Sequence, residues 1–134
     1  MQTTLMITIA VHALTGVFWA GTTFALARLE GAYAERFFRP QMGAAVLAVL
    51  SGALLWHFLH EGGVGAPEMV LSLGILTALV AAGVQGAMIG SARRKLAQAG
   101  ADETRLRLRM VKGERIASAL LAITIVCMVI QRYA

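Results

Sequence analysis

The sequence predicts an all-α membrane protein, a four-transmembrane-helix up-down bundle with N-out/C-out topology. Three observations carry this. Of 134 residues, 58% are hydrophobic and 14% charged, with a mean hydropathy of +0.72; a soluble domain carries nearer a quarter charged residues. Four apolar stretches, near residues 3–27, 42–60, 68–91 and 113–131, approach or reach the roughly 20 residues that cross a bilayer. The cations fall in alternate connections. No ten-residue alternating segments point to a barrel.

The first stretch, Thr3 to Ala27, is uncharged until Arg28. It opens MQTT without a positive region and is long for a signal peptide, so it reads as a permanent helix. Arg39-Pro40 precedes the second stretch, where proline suits a first helical turn. The segment Gly62-Gly63-Val64-Gly65-Ala66-Pro67 is a turn, and Glu68 after it favours a helix start. The third helix is expected to run through Ser91–Leu96 and stop near Gly100. Asp102 then caps a new helix, giving a cytoplasmic helical hairpin over about 92–112. The fourth stretch is short if counted from Ile116, and the amphipathic run from Arg105 supplies its inner turns. Gly74, Ala78, Ala82, Gly86 and Gly90 recur every four residues, as do Ala44, Ala48 and Gly52. Such faces let helix backbones approach closely, within one bundle, in a homodimer or in a larger membrane complex.

Eleven of the twelve Lys and Arg lie in the first and third connections, and Arg132 is the exception. The positive-inside rule puts those connections in the cytoplasm, so the whole chain reads as one multi-pass domain of a bacterial-type inner (cytoplasmic) membrane. The net charge of +5 therefore marks topology and contact with the lipid bilayer and its anionic heads, and nucleic acid is not expected as a partner. One cysteine, Cys127, excludes an internal disulfide and a cysteine-based zinc site. No nucleophile–base–acid set, phosphate loop or carboxylate pair is visible.

Polar side chains within a membrane usually have a partner or a task. His12 lies about 14 Å inside the outer end of the first helix, with Thr8, Gly16 and Ala20 on the same face. A histidine above a glycine leaves room for a flat cofactor, and imidazole is a common haem ligand. His57 and His60 stand three apart beside Trp56, so they share a face near the outer surface. All three histidines thus gather in the outer half. His12 with His57 is a candidate pair for haem b, their depths differing by roughly 8 Å. Alternatively His12, His57 and His60 bind copper, helped by Met6, Met69 and Met128. The bland alternative is that His12 hydrogen-bonds within the bundle and the other two are interfacial. Gln85 is expected to bond across helices, and Ser118 and Thr124 to their own backbone carbonyls.

His12, Gly16, Trp19, Gly21 and Arg28 in the first helix resemble the first helix of a family of small four-helix membrane proteins. That family contains the HemJ-type protoporphyrinogen IX oxidases, and the membrane domains of copper-resistance protein D look related. The Arg39-Pro40-Gln41-Met42 entry to the second helix and Ala92-Arg93-Arg94-Lys95-Leu96-Ala97-Gln98 are similar too. The resemblance implies a haem-associated, oxidoreductase-like bundle, with His12 as the family's first-helix histidine and Trp19 near the cofactor. The oxidases also use a third-helix lysine, and this chain has none between Pro67 and Ala92. His57 is then the substitute ligand. From a different class comes a third expectation, a non-enzymatic accessory subunit of a larger membrane complex.

Overall fold

The computed structural model describes residues 2–29, 33–59 and 65–133, with Arg132 in its backbone alone. It contains four long helices and, among the described residues, no strand. We number them α1 (Gln2–Arg28), α2 (Ala34–Leu59), α3 (Ala66–Leu96) and α4 (Glu103–Ile130). All four are long and apolar enough to cross a membrane. The chain is a four-helix bundle built for a bilayer.

Lipid selects this architecture because a helix satisfies its backbone hydrogen bonds internally. The side chains then sort by size. Large apolar residues point outward: Leu14 and Val17 are each 72% exposed. Small ones fill the centre, where Ala20, Ala44, Ala45, Ala48, Ala78, Ala81 and Ala117 pack with Trp19 and Leu121. A Cβ added to Gly74 would lie 2.9 Å from the Cys127 Cβ, so α3 and α4 touch almost backbone to backbone there. Helix α1 lies along α2 and against α4, and α3 lies along α4. Helices α2 and α3 meet chiefly at one place, the π-helical turn Gln85–Gly90 inside α3.

One boundary differs from the sequence expectation, and two follow it. Helix α2 begins at Ala34, so Pro40 sits inside the helix, not in its first turn. Proline has no N–H, so the Arg36 carbonyl lacks its usual helical donor. Helix α3 ends at Leu96, and Gly100 takes the left-handed conformation (φ 76°) in the turn that follows. Helix α4 is one continuous rod of 28 residues, about 42 Å long, which carries the basic hairpin straight into the bundle. Asp102 caps it as expected, accepting from the Arg105 N–H at 3.2 Å. Glu68 likewise closes the start of α3, accepting from the Gly65 N–H at 2.9 Å.

The topology gathers Arg28, Arg36, Arg39, the Arg93–Lys95 run and the cations of the first half of α4 at one end, here the basic end. Arg107 there pairs with Glu35 at 2.7 Å and with Glu103 at 2.9 Å. Arg115 donates to the Ala27 carbonyl at 3.3 Å, where a cation suits a helix C-terminus. The opposite end carries His12 and His57.

Candidate functional site

The histidine end is built on a small-residue contact between α1 and α2. Ala44, Ala48 and Gly52 share one face of α2, and Ala44 and Ala48 are buried. That face lets His12 of α1 lie across α2. A Cβ on Gly52 would stand 3.0 Å from His12 Cε1, so glycine is what makes room for the ring. His12 Nδ1 lies 2.9 Å from the Ala48 carbonyl oxygen and 3.2 Å from Ser51 Oγ. A carbonyl only accepts, so Nδ1 carries the proton and donates to it. Nε2 is then the nitrogen with the lone pair. The hydrogen bond expected of His12 within the bundle is present, and it also fixes the tautomer.

His57 is not brought to His12. It lies five residues beyond Gly52, about 140° further round α2 and about 7 Å along it. Its side chain is exposed, and its ring packs 5.8 Å from that of Phe58. Direction around the helix, more than depth, separates the two imidazoles. His60 lies outside the described residues. Met6 and Met69 are 63% and 67% exposed. Among the described residues no three His, Cys, Asp or Glu side chains gather as a metal group. Gly16 has nothing within 4 Å of an added Cβ, which leaves open space one turn from His12. Beyond Gly52 the α2–α3 seam opens into an apolar cleft of about 300 Å³ lined by Trp56, Ser72, Ile75, Leu76 and Leu79.

Trp19 belongs elsewhere. Its Nε1 donates to Gln85 Oε1 at 2.7 Å, toward the basic end. Gln85 opens the π-helical turn of α3, a kind of irregularity that often marks a functional position. Its amide nitrogen donates to Thr23 Oγ1 at 2.9 Å and to Glu114 Oε2 at 3.3 Å. Gln41 of α2 does the same from the other side, at 3.0 Å and 3.4 Å. Thr23 donates back to the Trp19 carbonyl at 2.7 Å. Thr23, Gln41, Gln85 and Glu114 are each 0% exposed. Every helix contributes to this polar core.

Gln85 was expected to bond across helices, and it does so to two of them. Gln41 and Glu114 were missed. The signal was present: Met110, Glu114, Ala117, Leu121 and Thr124 recur at three- and four-residue spacing, and all are buried. Thr124 bonds its own helix at Leu120 O (3.1 Å) and also reaches the Gly74 carbonyl across the interface at 3.1 Å.

The stripe on α3 is split. Gly74 and Ala78 face α4, Gly86 has nothing within 4 Å of an added Cβ, and Gly90 meets Phe38. The π-helical turn breaks the four-residue register between them. Comparison with known proteins adds no relative: no protein-family model, curated protein or solved structure matches the chain.

Proposed function

We propose that the chain is a small membrane-embedded haem b protein engaged in electron transfer, with His12 offering one axial nitrogen. The observation that supports this is the orientation of the imidazole. Nδ1–H is held by the Ala48 carbonyl at 2.9 Å, leaving Nε2 as the basic nitrogen. Ligating histidines are commonly fixed in this way through their other ring nitrogen. Haem would supply one-electron redox chemistry. The chain itself orients the ring through Ala48 and Ser51 and makes room for it at Gly52. The apolar cleft beside Trp56 suits the edge of a flat hydrophobic molecule.

His57 does not fit as the opposing ligand in this arrangement, because it faces away from the α1–α2 contact. That favours a second reading: an accessory subunit whose partner chain completes the site within a larger membrane complex. In both readings we place the basic end in the cytoplasm of a bacterial-type inner membrane, because eleven of twelve cations lie there.

A reduced-minus-oxidised visible spectrum of the protein in mild detergent tests these readings. The haem reading expects a Soret band and a sharp α band that vanish in His12→Ala. Bands that survive in His57→Ala place the second ligand on a partner. A colourless preparation removes haem and leaves the accessory subunit.

A further inference from the structure

The polar core is short of donors. Both hydrogens of the Gln41 amide and both of the Gln85 amide are used, on Thr23 and on Glu114 Oε2. The Trp19 N–H and the Thr23 hydroxyl are used as well. Two acceptors remain without a partner among the described residues: Gln41 Oε1 and Glu114 Oε1. Both belong to side chains with no exposed surface. In the arrangement observed, every amide, indole and hydroxyl hydrogen of the cluster is already directed to another acceptor.

Charge points the same way. The side chains that contact Glu114 are Gln41 from α2 and Gln85 from α3, and Trp19 and Thr23 from α1 complete the cluster through them, all of them neutral. Of the cations flanking Glu114 on its own helix, Arg115 is directed to the Ala27 carbonyl and Lys112 is exposed. Glu114 forms no ion pair among the described residues. A carboxylate buried with no counter-charge is among the costliest groups a fold can hold, and more so inside a bilayer. One positive charge at this cluster neutralises the carboxylate and gives its unpartnered oxygens something to bind.

We propose that Glu114 and Gln41 form a binding site for one monovalent cation, a proton or a sodium-sized ion, that draws on their unpartnered Oε1 atoms. A proton makes one O–H bond on Glu114 Oε1 and donates to Gln41 Oε1. A sodium-sized ion forms no covalent bond and is coordinated by the same two oxygens. In both cases the carboxylate is neutralised, and all four helices are drawn to one point. The site lies toward the basic end, away from His12, and does not depend on haem.

The test uses the full chain in mild detergent with two readouts. The first is the unfolding midpoint against sodium, with choline holding ionic strength constant. The second is the infrared spectrum with 13C-carboxyl glutamate, in which Glu114 is one of six glutamates. A sodium occupant raises the midpoint by about 4 °C at tenfold excess over its dissociation constant, choline does not, and Glu114→Gln abolishes the response. A proton occupant gives a carboxylic-acid C=O band at pH 7 that moves in D2O and is absent from Glu114→Gln. The site is disproved by carboxylate bands alone together with a sodium-independent midpoint. If Glu114→Gln does not fold, Gln41→Leu keeps the carboxyl: a displaced acid band, or a sodium response weakened at least fivefold, supports the site, and no change in either refutes it.

Discussion

At the scale of the residue, the polar core shows how one side chain serves several helices. Gln85 accepts from Trp19 and donates to Thr23 and Glu114, so its loss strands groups on two other helices. Leaving a buried donor unpaired costs about 1–3 kcal/mol. Hydrogen bonds between membrane helices average only about 0.6 kcal/mol, because the membrane-inserted unfolded chain also finds partners. For a fully buried 2.7 Å bond to an indole N–H we expect the upper part of that range. A double-mutant cycle with Trp19→Phe and Gln85→Leu should therefore give a coupling of about 1–1.5 kcal/mol, read from unfolding in mixed micelles. Strictly additive variants would mean that the bond contributes nothing. His12 presents the opposite case: its hydrogen bond goes to a backbone carbonyl, which no single side-chain change can remove. Only the room at Gly52 makes that bond reachable.

At the scale of the element, the helices were legible because hydropathy sets them, and their ends were legible where a cap exists. Asp102 is such a case: its carboxylate accepts from the Arg105 N–H at 3.2 Å. Asp102→Ala should weaken the start of α4 by about 1 kcal/mol, and Asp102→Asn should be nearly neutral. Faster amide exchange at Arg105 and Leu106 in the alanine variant is the measurement, and unchanged exchange would mean that the cap is idle. Where caps were lacking, the sequence misled. Pro40 looked like a helix start, but the helix begins six residues earlier and tolerates a missing hydrogen bond on its outer side. The π-helical turn had no signal beyond Gly86 and Gly90, and it splits a stripe that reads as continuous. Glu114 was hidden by its neighbours. It stands between Lys112 and Arg115, while the periodicity from Met110 to Thr124 places it on the buried face. The site at the other end was half legible: His12 and its small-residue partners on α2 were readable from spacing. The turning of His57 away from them follows from the five residues that separate it from Gly52, once the packing shows that His12 lies on the Gly52 face.

At the scale of the whole molecule, the bundle is polarised. Its basic end is tied by Arg107 to Glu35 and Glu103 and by Arg115 to the end of α1, while at the histidine end α2 and α3 part into the cleft beside Trp56. Solvent-accessible ion pairs such as Arg107–Glu103 contribute little to stability, so the density of cations there needs another reason. Orientation is the reason we propose: basic connections resist transfer across the membrane, and the bias is strongest within about 15–20 residues of helix ends. The single cysteine makes this testable with few changes. Cys127 is 5% exposed and packed against Gly74, so the native chain should react poorly with a membrane-impermeant maleimide. Ala66→Cys and Gln98→Cys place new thiols at exposed positions, the first at the histidine end and the second at the basic end. In intact cells the thiol at position 66 should label readily and the one at 98 only after permeabilisation. The reverse pattern would turn the molecule over, putting His12 on the cytoplasmic side. Equal labelling of both would mean two orientations in the membrane. With eleven cations against one across the two ends, a single orientation with position 98 protected is the expected result.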